Sequence, residues 1–491
     1  MRYSDDLFHL IKSMQKSEKR YFKIYVSKFN NDNHYYLDLF NAIDKQAKKG
    51  DKYDEKALLK QFEGKGFFKN FSVAKAYLYK KILRVMREFY AEKAAKDEVI
   101  REMLSNIKYL IKRSLYKQAK KILDKAYKTV DSYERFSEKL ALIKMERSMI
   151  HYGIFNETRE ESFFRLYKME ADCIDHLKKV SEYEHVGNQI YLKALSTQKG
   201  NKEKLTQELQ DLYNHPLLQD EGSPKTYSIK RTLYHSKAMC ARALRDYETS
   251  FYYQKKRFDL FEEYPQFIQY SIPNYISALH NMLFSCTGTK NEKEFNHYLG
   301  ILQSIKVNDK QTEVGIFTTS YHMILRMYLI QERFDDLLAI VPAIEKGLKE
   351  YEGGLGVISE QNIMFGLACL YFRLNDFHDA MKWINKLFQY EENNQQPYIQ
   401  SVIRIMQMFI YYELNYTDSL PHLIRSAQRY FSKKRDMFEL EKEALSTIKK
   451  LLKQNDITEE KAIYDAFKQS VAESKEYSIA DLLGFMGLRG K

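Results

Sequence analysis

The sequence predicts an all-α protein. The chain has 491 residues but only seven prolines, and none of them occurs before Pro216. Because proline lacks the amide hydrogen that a helix needs and its ring clashes with the preceding turn, this long proline-free stretch favours long helices. The helix-forming residues Leu, Lys, Glu, Gln, Met and Ala dominate the periodic segments. With 44% hydrophobic and 30% charged residues, the composition is typical of a folded chain.

Residues 1–95 are predicted to form a small helical domain of their own. Four helices are expected here, with boundaries near Ser4, Ser17, Asn33, Asp54 and Ser72. Asp54 is well suited to begin a helix, because a side-chain oxygen at this position accepts a hydrogen bond from a free amide of the first turn.

Residues 96–430 show a returning pattern of helical hairpins. An amphipathic helix ends, a short turn carries an aromatic residue, and a second helix follows with small and apolar residues. The clearest copy is "NIMFGLACLYFRLNDFHDAMKWINKLF", residues 362–388. Its marked positions are Ala368 and Tyr371 on the first helix, Asn375 and Phe377 at the turn, and Ala380, Ile384 and Leu387 on the second helix.

This order of small residue, tyrosine, turn, aromatic and alanine resembles the tetratricopeptide repeat. Two further copies carry the pattern, with Tyr116, Ala119, Leu123 and Ala126 in one and Tyr328, Phe334, Leu337, Val341 and Ile344 in the other. A small residue allows the two helices of a hairpin to approach closely. Each hairpin leaves an apolar face that only a neighbouring hairpin can cover.

The spacing of the repeats is wider than that of the standard tetratricopeptide repeat. Marker positions are placed at Tyr116, Phe155, Lys202, Tyr247, Phe295, Phe334, Phe377 and Tyr416. Their mean spacing is about 43 residues, against 34 for the standard repeat. The resemblance therefore implies an irregular α-solenoid of longer helices over roughly residues 100–430, and such arrays present extended surfaces for proteins or peptides.

Residues 431–491 are predicted to form C-terminal capping helices. The end of the chain, "YSIADLLGFMGLRGK", carries an apolar patch of Leu482, Leu483, Phe485 and Met486. A helix that docks back onto the array is favoured over a free anchor for a partner. Upstream, "TREE" at Thr158–Glu161 is a capping box, in which the two side chains satisfy each other's free backbone amides.

The cysteines and the hydropathy indicate a cytoplasmic protein. Four cysteines are scattered without metal-ligand spacing, which favours reduced thiols over a disulfide scaffold. The N-terminus "MRYSDDLFHL" has two aspartates and no apolar run, unlike a secretory signal. No window approaches 18 uninterrupted apolar residues, so no membrane association is expected. The dense use of Lys, Asn and Tyr resembles that of proteins from AT-rich bacteria, which assigns no function.

No motif in the sequence indicates catalysis, a cofactor or a metal. The chain lacks a P-loop, an H-E-x-x-H motif, a paired C-x-x-C and a G-x-S-x-G elbow. Cys173 and His176 lie three residues apart on one predicted helix, but two ligands without further partners rarely hold a metal. The glycine cluster at Gly353–Gly356 predicts a turn. We therefore expect a protein that is not an enzyme.

The net positive charge of the chain lies entirely in its first quarter. Residues 1–130 contain 31 Lys and Arg against 16 Asp and Glu, a net charge of +15. Because the whole chain carries +13, the remainder carries −2. Such asymmetry bears on the choice of partners rather than on the fold.

The basic residues of this region fall on helical stripes. In "KSEKRYFKIYVSKF", residues 16–29, the aromatics Phe22, Tyr25 and Phe29 share one face with Val26, and the basic residues lie opposite. The aromatics are therefore expected in the core and not as a platform for bases. Three such stripes give the candidate polyanion or partner site, which consists of Lys12, Lys16, Lys19, Arg20, Lys23, Lys80, Arg84, Arg87, Lys117, Lys121 and Lys125.

Two functional hypotheses follow from the sequence. The first is a non-enzymatic cytosolic scaffold whose helical array holds a protein or peptide, with some of the 39 tyrosines and 30 phenylalanines as anchors. The second is a nucleic-acid-associated regulator, in which the basic stripes release counterions from a phosphate backbone or meet an acidic protein. A basic helical N-terminus before such an array resembles the peptide-responsive bacterial regulators, an analogy of architecture only.

Overall fold

Helices make up every regular element of the part of the chain that the structure describes. The structure is a computed structural model, and it describes residues 5–29, 34–49, 53–64, 70–91, 96–195, 202–222, 224–307, 309–390, 397–434, 437–454, 456–474 and 482–488. These ranges contain no strand, and the all-α prediction is confirmed. The predicted boundaries at Ser4 and Asn33 lie outside the described residues. Two compact units, residues 1–174 and 175–491, are treated separately below.

The first five helices of unit 1, here called the N-terminal helix group, share one core. They are α1 (Asp6–Ser13), α2 (Lys16–Phe29), α3 (His34–Lys49), α4 (Glu55–Gln61) and α5 (Phe71–Ala91). Phe8, Phe22 and Phe40 are fully buried in this core. The predicted count of four helices is one too few. The predicted boundaries at Ser17, Asp54 and Ser72 each lie within one residue of the start of a helix, and the extended backbone at Met14 separates α1 from α2. The predicted cap of α4 is confirmed, since Asp54 Oδ1 accepts a hydrogen bond from Ala57 N at 3.0 Å.

The rest of unit 1 packs around two further groups of buried side chains. Its helices are α6 (Lys96–Lys112), α7 (Tyr116–Ser132), α8 (Phe136–Met149) and the start of α9 (Arg159–Leu195). The predicted small residues Ala119 and Ala126 are buried on α7. The predicted capping box begins α9, where Glu161 N donates to Thr158 Oγ1 at 3.2 Å and Thr158 N donates to Glu161 Oε2 at 2.8 Å.

Unit 2 is a succession of helical hairpins with a small cluster of buried residues around α10 to α12 and one long core that begins at Tyr227. After the end of α9, its helices are α10 (Lys202–Tyr213), α11 (Pro216–Gln219), α12 (Tyr227–Ala243), α13 (Tyr247–Glu263), α14 (Gln266–Tyr270), α15 (Ile272–Thr289), α16 (Glu292–Gln303), α17 (Lys310–Ile330), α18 (Phe334–Glu350), α19 (Val357–Arg373), α20 (Phe377–Phe388), α21 (Pro397–Glu413), α22 (Leu420–Lys434), α23 (Glu439–Leu451) and α24 (Ile457–Glu473). Helix α15 packs on α17 and α17 packs on α19, so the first helices of successive hairpins lie side by side. Their shared buried side chains run from Tyr227 to Met486.

The hairpin turns are built in one way. At each of seven turns in the described residues, a residue one or two positions after the end of a helix has a left-handed backbone, and none of the seven is glycine. The next amide donates to the carbonyl five residues earlier, at 2.7–3.0 Å, which is the bond of a Schellman cap. The left-handed residues are Ser114, Glu134, Arg245, Lys290, Glu332, Asn375 and Asn415. The last five lie 40 to 45 residues apart, in unit 2.

The predicted markers fall at different places relative to these turns. Tyr116, Tyr247, Phe334 and Phe377 are each the first residue of the second helix of a hairpin, and Lys202 begins α10. The other markers are less regular, since Phe155 and Tyr416 lie outside the helices and Phe295 lies within α16. Close approach is clearest at Gly347 of α18, where an added methyl group would come within 2.1 Å of the Phe317 ring on α17.

The last described residues, 482–488, are called here the C-terminal segment. The segment ends in a short π-helical turn, Gly484–Leu488, and it packs on α17, α19 and α24. Leu483 and Met486 are buried in the shared core. The apolar patch was predicted either to dock back onto the helical array or to stay free as an anchor for a partner. In the described residues it is docked onto other helices of unit 2.

Candidate functional site

The basic residues predicted on α1 and α2 divide into exposed and engaged groups. Lys12, Lys16 and Arg20 are exposed. Lys19 and Lys23 instead turn towards Asp44 of α3, at 2.8 Å and 4.0 Å between the ammonium nitrogens and the carboxylate oxygens. Their charge is therefore partly neutralised within the N-terminal helix group.

Asp44 is a buried carboxylate that this group holds in its charged form. Burial alone would raise its pKa, but hydrogen bonds from Lys19 and Lys48 outweigh that effect, and the pKa of Asp44 is lowered. Lys19 and Lys23 stay predicted site residues, but Asp44 meets part of their charge. The sequence did not show this, because Asp44 lies 25 residues from Lys19 along the chain.

The basic residues predicted on α5 lie on a helix that contacts α2. Lys80, Arg84 and Arg87 are exposed. The two helices meet through ring contact between Tyr21 and Phe89, whose centroids are 4.9 Å apart. The structure therefore assembles the exposed basic residues of α2 and α5 in one helix group.

The third predicted stripe belongs to a different core. Lys117, Lys121 and Lys125 are exposed on α7, opposite the buried Ala119 and Leu123. Ala119 and Leu123 pack with side chains of α6 and α8. The N-terminal helix group has its own separate cluster of buried residues.

Sequence reasoning missed a second group of cationic side chains, which lies in unit 2. Arg231 and His235 stand one helical turn apart on α12, and Arg257 comes from the neighbouring α13. These three residues are called here the arginine recess. Arg257 Nη1 donates to Gln254 Oε1 at 3.3 Å. Each of the three side chains is partly accessible to solvent, whereas Arg231 Nε, Arg257 Nε and His235 Nδ1 are buried without a hydrogen-bond partner among the described residues.

The electrostatics of the arginine recess are those of crowded positive charge. Burial and then the charge of Arg231 lower the pKa of Arg257 to about 10. Burial and then the charges of Arg257, Arg242 and Arg231 lower the pKa of His235 to about 3. His235 is therefore neutral at pH 7.

Two further histidines continue this group, His280 on α15 and His322 on α17, together with Arg242 on α12 and Arg326 on α17. The rings of His280 and His322 lie 5.7 Å apart. Burial and the charges of Arg242 and Arg326 lower the pKa of His280 to about 4, and burial with His280 and Arg326 lowers that of His322 well below its usual value.

Arg326 also joins this group to the C-terminal segment. Its guanidinium carbon lies 4.3 Å from the Phe284 ring centroid and 4.7 Å from that of Phe485, and its Nε donates to Thr287 Oγ1 at 2.9 Å. The Phe485 ring of the predicted apolar patch is therefore seated on a cation.

A sequence signal for the arginine recess does exist. Residues 222–245 contain six Lys and Arg and no Asp or Glu. The net charge of −2 over residues 131–491 conceals this stretch, because acidic residues elsewhere balance it.

The described residues contain no group of three or more His, Cys, Asp or Glu placed to hold a metal ion. Cys173 is buried, and His176 Nε2 lies 3.4 Å from Ser228 Oγ, so the predicted pair is divided between two environments. Within the same ranges, no helix combines the length and apolar character needed to span a bilayer.

Comparison with protein-family models, curated proteins and solved structures finds no match to this chain.

Proposed function

We propose that the protein is a non-enzymatic cytoplasmic scaffold, in which a tetratricopeptide-like solenoid of hairpins in unit 2 holds a segment of a protein partner. The recurring Schellman turns, 40 to 45 residues apart from Arg245 onward, support a repeating architecture. Side-by-side packing of α15, α17 and α19 supports the same interpretation, since helices stacked in this way offer a continuous surface.

The observation that carries the proposal is the seat of the C-terminal segment. Seven residues of the chain lie on α17, α19 and α24 with Leu483 and Met486 buried and Phe485 against Arg326. Burying two such side chains is worth about 1.5–3 kcal/mol each. A surface that takes up an apolar segment of its own chain has the chemistry to take up a similar segment from a partner.

Displacement of the C-terminal segment tests this proposal. Leu483→Asp combined with Met486→Asp in the full chain should drive the segment off its seat, because a buried carboxylate is strongly disfavoured. A fluorescent peptide of residues 477–491 should then bind the variant in fluorescence anisotropy. The unmodified chain should bind it at least about tenfold more weakly, because its own segment competes at an effective concentration in the millimolar range.

The matched control is Leu338→Asp with Ile358→Asp, which places two carboxylates at exposed positions of α18 and α19. This control should bind the peptide as weakly as the unmodified chain. If the displaced-segment variant retains its helical circular dichroism but binds the peptide no better than this control, the surface does not accept a segment in trans and the proposal fails.

A display library extends the test from the chain's own segment to partners. Peptides selected on the displaced-segment variant should share two apolar residues three positions apart, as Leu483 and Met486 are. Selection of sequences without any apolar spacing would contradict recognition at this seat.

We propose polyanion binding by the N-terminal helix group as a second candidate function. The observation that favours it is the contact of α2 with α5, which assembles the exposed Lys16, Arg20, Lys80, Arg84 and Arg87 in one group. Cations gathered in this way gain free energy by releasing counterions from a nucleic-acid backbone.

A salt series distinguishes this candidate from a merely solvated surface. The full chain should bind labelled DNA or RNA with an affinity that falls steeply as salt rises, and Arg20→Glu with Arg87→Glu should weaken binding and flatten that dependence. Arg429→Glu, on an exposed position of α22, is the control. The candidate function is refuted if the unmodified chain, the double variant and the control bind nucleic acid equally, or if the unmodified chain does not bind it at low salt.

A further inference from the structure

The basic side chains on α12 and α13 lie in two different environments. On one side, Glu221 accepts hydrogen bonds from Lys237 and Lys256 at 2.7 Å and 2.8 Å. Burial would raise the pKa of Glu221, but these bonds outweigh it and lower the pKa to about 2. Arg231 and Arg257, on the same two helices, have no carboxylate within ion-pair distance among the described residues. One pair of cations is neutralised and the other is not.

The uncompensated pair costs the folded chain free energy. Like charges repel at Arg231 and Arg257, and the buried polar atoms Arg231 Nε, Arg257 Nε and His235 Nδ1 have exchanged water for no partner among the described residues. Packing does not require this arrangement, because an apolar side chain of similar length fills the same volume without the penalty. Uncompensated buried donors of this kind are typical of sites where a ligand supplies the missing acceptors.

The chemistry of the recess selects the ligand. The two unpartnered guanidinium nitrogens, Arg231 Nε and Arg257 Nε, can only donate, so the ligand must bring acceptors. Guanidinium forks match the oxygens of carboxylates and phosphates in paired hydrogen bonds. Three arginine charges act on His235, from Arg231, Arg242 and Arg257. A single carboxylate would compensate only one of the two charges of Arg231 and Arg257, whereas a phosphoryl group carries a charge of about −1.5 to −2 near neutral pH.

We propose that the arginine recess, formed by Arg231, His235 and Arg257, is a binding site for a phosphoryl group. The two guanidiniums hold the oxygens, and neutral His235 donates from one ring nitrogen without adding charge. The group belongs either to a small phosphorylated molecule or to a phosphorylated side chain of a peptide, and both present the same oxygens. This proposal does not involve the residues that bind the C-terminal segment. Its test and the test of the scaffold function are therefore independent of each other.

Calorimetric titration of the full chain at constant ionic strength tests the site with three probes, which are inorganic phosphate, diphosphate and a phosphoserine peptide. Constant ionic strength removes general screening as an explanation. At least one probe should bind, and Arg231→Gln or Arg257→Gln should each weaken it about tenfold or more. The control Arg429→Gln changes an exposed arginine of the same unit and should leave the affinity unchanged.

Thermal stability without ligand separates a binding role from a structural one. Arg257→Gln removes a repelled charge, so its melting temperature in phosphate-free buffer should equal or exceed that of the unmodified chain, while stabilisation by the bound probe is lost. A lower melting temperature would show that Arg257 acts in packing and would overturn the proposal.

The probes also identify the source of the phosphoryl group. Preference for diphosphate assigns the site to a small molecule, and preference for the phosphopeptide assigns it to a protein ligand. The proposal is overturned if none of the three binds at millimolar concentration, or if binding survives in the double variant of Arg231→Gln and Arg257→Gln.

Discussion

Acidification from pH 7 to pH 5 should destabilise unit 2 through its buried histidines. The pKa values of His235 and His280 in the folded chain are about 3 and about 4, mainly because of burial and then because of the neighbouring arginines. In the unfolded chain a histidine titrates near pH 6.5. Between these values the unfolded state binds protons that the folded state does not, so stability is complete above pH 6.5 and falls as the pH is lowered.

The size of the effect follows from the two pKa values. A histidine that is neutral in the folded state and titrates at 6.5 when unfolded loses about 2 kcal/mol of stabilisation between pH 7 and pH 5. His235 and His280 together therefore give a loss of about 4 kcal/mol, and His322 adds to it with the same sign. Glu221 does not contribute in this range, because its stabilising effect is lost only below its unfolded pKa of 4.5.

Urea denaturation followed by tryptophan fluorescence measures this loss. The single tryptophan, Trp383, is buried on α20 and reports the unfolding of unit 2. The unmodified chain should lose about 4 kcal/mol or more between pH 7 and pH 5. The double variant His235→Asn with His280→Gln should lose about 4 kcal/mol less of its free energy of unfolding over the same pH range. An equal pH dependence in the two proteins would refute the argument that these histidines are held neutral.

Three further predictions concern packing and burial. Gly347→Ala should lower the free energy of unfolding by about 1–3 kcal/mol in urea denaturation, because its methyl group meets the Phe317 ring, whereas Gly300→Ala in open space should raise it by about 0.5–1 kcal/mol. Arg165→Met removes the 2.6 Å ion pair of the buried Glu146, and it should cost about 2 kcal/mol or more in a thermal melt followed by circular dichroism; an unchanged melt would contradict that role. The cysteines should resist a thiol reagent in the folded chain and react once it is unfolded in urea, because all of them are buried, and rapid labelling of the folded chain would contradict the structure. They are Cys173, Cys240, Cys286 and Cys369.

The features that the sequence predicted well are those set by neighbours along the chain. The helical class, the caps at Asp54 and Thr158 and the turn at Asn375 each depend on a few consecutive residues. Turns such as those at Glu134 and Glu332 were harder to locate, because glutamate does not mark a left-handed position.

The features that the sequence did not predict depend on contacts between distant residues. Asp44 neutralises Lys19 across 25 residues, which changes the outcome for a predicted basic stripe. Arg231 and Arg257 come together only because α12 folds back on α13. Helical periodicity places a side chain on a face of its own helix, but it cannot tell which face of another helix it will meet.

The seven Schellman turns leave the chain with a reserve of heat resistance. A left-handed backbone costs a residue other than glycine about 1 kcal/mol, and this cost recurs at positions from Ser114 to Asn415. These positions lie in the connections between helices. Successive glycine substitutions there would therefore raise the melting temperature in small steps.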